Sequence, residues 1–165
     1  MKNPLNKYAF FFQGDSLLLP PDVPNWEIDR EIPIEFADIF EDKDIFEIPD
    51  LENYSDDGKE SQNSGSPKAE THAPLITGVS VAPEEPLPPR WTCVTVRNVL
   101  FMLTDGIEWK KSVVRMLRTF HVAQWRRNSC YCGKCGTKNV DVVNNIAREC
   151  PSCGKLEFPA FWSAA

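Results

Sequence analysis

Two cysteine pairs, Cys132-Gly-Lys-Cys135 and Cys150-Pro-Ser-Cys153, stand fourteen residues apart in this 165-residue chain, and glycine follows each, Gly136 and Gly154. Two residues between cysteines let a tight turn aim both sulfurs at one point, and two such turns can close on a single ion. The glycine permits backbone that a side chain would crowd, and brings amide N–H groups toward the thiolates. Four soft thiolates favour tetrahedral Zn2+ and leave no position open for water. The spacing therefore predicts a structural zinc held by Cys132, Cys135, Cys150 and Cys153. Between the pairs, residues 140–143, Asn144-Asn145 and residues 146–149 read as strand, turn and strand, a hairpin that would hold the two turns face to face. Sites of this class contribute about 10–16 kcal/mol in model peptides, more than a typical small domain's whole stability. The module is expected not to fold without its metal.

Other uses of the same thiols fit less well. A redox pair would follow a strand and open a helix, which neither pair does. A disulfide framework needs an oxidising compartment, and the amino terminus shows no route to one. Cys93 and Cys130 read as unpaired, although Cys130, two residues before a ligand, is placed to act as an alternative one. His72 falls in a linker-like stretch, and His121, between Phe120 and Val122, reads as a helix residue without a chemical role.

The length suits one domain, or a small domain with a satellite module. A hydrophobic fraction of 42% excludes a wholly disordered chain. No window approaches the roughly 18 consecutive apolar residues of a membrane span. Gln13-Gly14-Asp15 interrupts the apolar run at the start, where a secretory signal needs an unbroken one. A soluble cytoplasmic protein without membrane contact is expected.

Organisation follows from local pattern. Residues 8–12 and 16–20 flank the Gly-Asp pair as a β-hairpin. Residues 32–36 alternate weakly and predict an edge strand carrying Pro33. Asp38-Ile-Phe40 and Asp44-Ile-Phe46 read as an acidic surface segment with a few buried anchors. Residues 52–89 have linker composition, with Ser61-Gln-Asn-Ser-Gly-Ser-Pro67 and four prolines in 83–89, and only a short strand at 75–81 to interrupt them. A strand at 91–96 and a helical turn at 98–103 come next. Asp105 with Glu108 then forms a capping-box-like start for a helix running to about 127. Its apolar stripe is Ile107, Val113, Val114, Leu117, Phe120 and Trp125, and its opposite face carries Lys110, Lys111, Arg115, Arg118, Arg126 and Arg127. The fold class expected is α+β: a small β-rich amino-terminal domain, one long helix and a carboxyl-terminal zinc ribbon.

The net charge of −6 hides a division: residues 1–89 carry 6 basic and 19 acidic groups, residues 90–165 carry 12 and 5. Opposite-sign halves can attract each other, or the basic half can meet an anionic partner. A solvated basic helix face is the commoner explanation.

The run Trp125-Arg-Arg-Asn-Ser-Cys-Tyr131-Cys132-Gly-Lys-Cys135-Gly136, then Cys150-Pro-Ser-Cys153-Gly154 and Phe158-Pro159, resembles the zinc ribbon of NADH pyrophosphatases, which are Nudix hydrolases. The hairpin ending Leu17-Leu-Leu-Pro20 and the Val96-Arg97 start of the helical region are similar to their amino-terminal Nudix-like domain. Composition and resemblance together divide the chain into residues 1–51, the β-rich Nudix-like part; 52–89, an acidic linker or insertion; 90–127, strand and helix completing that domain; 128–160, the ribbon; and 161–165, the expected opening of a catalytic domain. Two features depart from the family pattern. Ala160 stands where arginine usually follows the proline, and no Nudix box is present in the 165 residues. Arg30-Glu31 is followed by Ile-Pro, which cannot continue the box helix. No catalytic and no cofactor-binding residue is therefore assigned. The resemblance implies that the family's hydrolysis of the NAD(H) pyrophosphate to nicotinamide mononucleotide and AMP, with its Mg2+ or Mn2+, belongs to a domain outside these residues. It implies a structural and dimerisation role here, a homodimer, and NAD(H) as a ligand only with such a domain present. The alternative is an autonomous zinc-ribbon module binding nucleic acid or a protein partner, with Tyr131 and Phe158 beside Lys134, Lys138, Arg148 and Lys155.

Overall fold

The computed structural model describes residues 8–23, 30–50, 75–104, 111–143 and 145–160. Its first strands, β1 (Tyr8–Gln13) and β2 (Ser16–Leu19), form the expected hairpin, with Phe12 opposite Leu17 and Gln13 opposite Ser16. The short strand β3 (Ile32–Pro33) pairs with β1 and gives way to a 3-10 helix at Ile34–Ile39. Strands β4 (Lys43–Pro49), β5 (Leu75–Val81) and β6 (Thr92–Thr95) complete the sheet, in the order β4-β5-β1-β2-β6. Two helices follow, α1 (Val96–Thr104) and α2 (Lys111–Asn128). A separate three-stranded sheet closes the chain, β7 (Val140–Asp141), β8 (Arg148–Glu149) and β9 (Leu156–Glu157).

The centre of the large sheet explains why residues 9–12 are an unbroken apolar run. β1 lies between β2 and a parallel β5, and both faces are covered. Phe10, Phe12, Leu17, Leu19, Phe46 and Ile76 point to the α2 side. Ala9, Phe11, Leu18, Val79 and Val81 point to the other, which the 3-10 helix and Trp91 close. Trp91 meets Phe40 edge-on at 5.4 Å and also contacts Phe11 and Phe36. Burying each of the three consecutive phenylalanines stabilises the fold by about 1.5–3 kcal/mol relative to exposure.

Several expectations shift. The alternation at 32–36 yields only a two-residue strand, because Phe36 and Ala37 pack better from a helical turn beneath Trp91. The strand expected at 75–81 is present but is no isolated interruption: β5 pairs with β4 on one side and β1 on the other. The proline-rich run after it makes turns tied to the sheet, with the Gln13 side-chain amide donating to the carbonyls of Ala82 and Glu85. Of the acidic pair of motifs, Phe40 and Phe46 are the buried anchors, on opposite faces of the sheet. The buried stripe of α2 is Val113, Met116, Thr119, Val122 and Ala123, with Leu117, Phe120 and Trp125 at its margin. Thr119 enters the core because its hydroxyl donates to the Arg115 carbonyl at 2.8 Å, leaving its methyl free to pack. That methyl and the Phe46 ring lie within 2.7 Å of where a Cβ on Gly78 would stand, so only glycine lets α2 cross β5 there.

The basic face of α2 is not simply solvated. Arg115 pairs with Glu31 at 2.6 Å and with the buried Asp50 at 3.2 Å. Arg126 grips Asp44 through two hydrogen bonds, 2.7 and 3.0 Å. Attraction between the opposite-sign halves is built into the fold at these two arginines. The capping-box start at Asp105 and Glu108, together with Ile107, Lys110, His72, the serine-rich run at 61–67 and residues 161–165, lies outside the described residues.

Candidate metal centre

The two cysteine turns are built alike. After the first, the Gly136 N–H donates to the Cys132 carbonyl at 2.9 Å; after the second, the Gly154 N–H donates to the Cys150 carbonyl at 2.9 Å. The amide of each leading cysteine donates five residues ahead, Cys132 to Thr137 at 2.8 Å and Cys150 to Lys155 at 2.9 Å. Gly136 and Gly154 hold φ of 72° and 67°. Nothing lies within 4 Å of a Cβ built on either. The expected role of the glycines therefore lies in the backbone angle, where a Cβ would crowd its own chain rather than a neighbour.

The hairpin between the turns has the register its sequence implies, Val140 opposite Glu149 and Asp141 opposite Arg148. It brings the four sulfurs together. Cys132 and Cys153 stand 3.7 Å apart and Cys135 and Cys150 3.4 Å apart, and all four ligand atoms lie within 4.8 Å of one another. A tetrahedral zinc with Zn–S near 2.3 Å separates its sulfurs by about 3.8 Å. The set fits that ion in number, chemistry and spacing.

Electrostatics around the sulfurs supports the same reading. The Lys134 N–H points at the Cys132 sulfur from 3.4 Å, and it leads the causes that lower that thiol. The Thr137 hydroxyl and then the Thr137 amide hold the Cys135 thiol down to about 6. Cys153 receives the Lys155 amide, yet burial and the neighbouring thiols push it up to about 11. The amides of Lys134 and Thr137 turned toward Cys132 and Cys135 favour the thiolate form that a dication binds.

A family model described as the NADH pyrophosphatase zinc ribbon domain matches residues 127–158. Those residues form an NADH pyrophosphatase-like zinc ribbon. Searches of curated proteins and of solved structures returned no match for the chain. The matched span holds all four clustered cysteines.

The remaining candidates fall outside the NADH pyrophosphatase-like zinc centre. Cys130 does not join the sulfurs; its thiol donates to the carbonyls of Arg127 and Arg126 at 3.2 and 3.5 Å, closing the end of α2. Cys93 is exposed on β6. The His121 ring N–H donates to the Ala160 carbonyl at 2.7 Å, tying the exit of the ribbon to α2. Among the described residues, no helix is long and apolar enough to cross a membrane.

Sequence reasoning missed how the ribbon is seated. Asp141 receives Arg126 at 2.8 and 3.1 Å and Arg148 at 3.0 Å. Arg148 also donates to the Arg126 carbonyl and lies 6.0 Å above the Trp125 ring. Burial works against ionising Asp141, but hydrogen bonds from Arg126 and then Arg148 hold its carboxyl below the usual carboxylate range. The signal was present: a hairpin turning at Asn144-Asn145 places Asp141 opposite Arg148 by simple counting. β9 was also missed, its two residues being too short for any pattern. β9 sets Glu157 against Lys155 at 2.8 Å and next to Arg148 in register.

Proposed function

We propose that this chain supplies the structural, zinc-ribbon portion of an NADH pyrophosphatase-like protein and has no catalytic site of its own. The observation that carries this is the convergence of four thiolates within the span that matches the family's ribbon. Four thiolates fill the coordination of zinc, so the ion supplies folding energy and no Lewis-acid position. Cys132, Cys135, Cys150 and Cys153 hold it, and the backbone N–H groups of Lys134 and Lys155 steady the thiolates. Thiols kept free for a metal suit a reducing compartment such as the cytoplasm. Pyrophosphate hydrolysis, with its Mg2+ or Mn2+ and its NAD(H), is assigned to residues outside these 165. Purified without chelator, the chain is expected to carry about one zinc and to hydrolyse no NADH with either divalent ion; turnover that survives repurification would overturn the assignment.

A homodimer is part of the same reading. It is supported by the apolar groups that the ribbon leaves outward, Val140 and Leu156, each about half exposed. Sedimentation at two protein concentrations tests it. A second reading, a ribbon that binds single-stranded RNA, rests on the exposed rings of Tyr131 and Phe158 beside Lys134 and Lys138, since aromatic faces stack bases and lysines meet phosphates. Fluorescence anisotropy with a single-stranded RNA at two salt concentrations decides it: salt-sensitive binding near micromolar supports it, and none removes it.

A further inference from the structure

The strands of the ribbon meet α2 through one row of side chains, apart from the His121 contact at the ribbon's exit. Asp141 and Arg148 sit opposite each other on β7 and β8, and Glu157 follows Arg148 in register on β9. This row is turned toward α2, with Arg148 only 11% exposed. The row beside it, Val140, Glu149 and Leu156, is exposed. From the inward row the contacts run in one direction. Arg148 donates to Asp141, to the Arg126 carbonyl and to the Ser129 hydroxyl. Arg126 carries two hydrogen bonds to Asp141 and two more to Asp44 on β4, and lies 5.4 Å above the Phe46 ring of the same strand.

β4 is an edge of the large sheet, paired with β5 alone among the described residues. Two of its side chains, Asp44 and Phe46, are met by Arg126 of α2. An arginine held by two carboxylates is fixed in place; an arginine held by one can swing away. Removing Asp141 from its position frees Arg126 on one side and, on the other, loosens Arg148, which donates to the Arg126 carbonyl at the end of α2. What keeps Asp141 and Arg148 in register is a sheet of three two-residue strands, whose middle strand ends one residue before Cys150. Ladders this short do not persist unaided in water.

We propose that the metal centre is a latch for the amino-terminal domain. Zinc fixes the hairpin, the hairpin presents Asp141 and Arg148, and these lock Arg126 onto Asp44 and so hold the β4 edge and the end of α2. Metal occupancy, through this relay, sets how firmly a sheet with no metal ligand of its own is closed. The inference rests on the reading of the ribbon as a zinc site.

Hydrogen–deuterium exchange on the full chain, with zinc content measured in the same samples, tests both. Three samples are compared: zinc-loaded wild type, chelator-treated wild type, and zinc-loaded Asp141→Asn, which keeps all four ligands and the side-chain shape. Chelation is expected to speed exchange in 43–49 and 121–128 about tenfold or more, the scale of losing hydrogen bonds to a charged group. Asp141→Asn is expected to retain zinc and protected amides at the cysteine turns, yet show faster exchange in 43–49. Zinc retained but β4 indifferent to both chelation and Asp141→Asn overturns the latch alone. β4 responding to chelation but not to Asp141→Asn overturns the relay through Asp141. Wild type that retains no zinc overturns the metal reading and the latch with it.

Discussion

Gly136 and Gly154, with open space around each and φ near 70°, would meet a backbone penalty and no clash on substitution. The left-handed conformation costs an L residue roughly 1–2 kcal/mol, so Gly154→Ala is expected to lower the stability of the zinc-loaded chain by about that amount, with Gly154→Asn closer to wild type; thermal melts with zinc in excess measure it. Proton counting probes the thiols themselves. With Cys135 held down to about 6 and Cys153 pushed up to about 11, the metal-free cluster between those values carries both a thiolate and a thiol. Zinc must displace the remaining protons, so binding releases protons there and weakens as pH falls. Calorimetric titrations in two buffers of different ionisation enthalpy at about pH 7.5 are expected to show release on zinc uptake; equal apparent enthalpies would contradict it. At this scale the centre was legible, because ligand type, spacing and the trailing glycine are local properties of sequence. The helix-closing bond of the Cys130 thiol was not legible, since it depends on where α2 stops and the first turn begins.

Among the elements, α2 joins the two parts of the molecule. One face packs on β5 over Gly78, where the Phe46 ring and the Thr119 methyl fill the place of a side chain. Gly78→Ala is expected to destabilise the fold by about 1–3 kcal/mol, the usual cost of overpacking a core, measured by urea denaturation with zinc present; an unchanged midpoint would show that Phe46 can move aside. The hairpin β1–β2 and the strand at 75–81 were readable from their apolar runs and from the flanking glycine and prolines. The centrality of β5 was not, because parallel pairing with β1 joins residues about as far apart as 9 and 77. The stripe of α2 was read from its large apolar residues. The helix instead turned Met116 and Thr119 inward, a choice made by the shape of the sheet beneath it.

Over the whole molecule, the charge division becomes architecture. The acidic half supplies all but one strand of the large sheet, the basic half supplies β6, the helices and the ribbon, and Arg115 and Arg126 join them through Glu31, Asp50 and Asp44. Charge counts left attraction between the halves open beside a solvated basic face; the fold shows two arginines making the contact. The account depends on one thing above all, that Cys132, Cys135, Cys150 and Cys153 together hold a single zinc. X-ray absorption at the zinc edge of protein purified without chelator measures it most directly. Four sulfur neighbours at about 2.3 Å and no nitrogen or oxygen ligand are the expected result; fewer sulfurs completed by a light atom, or no bound zinc at all, would contradict it.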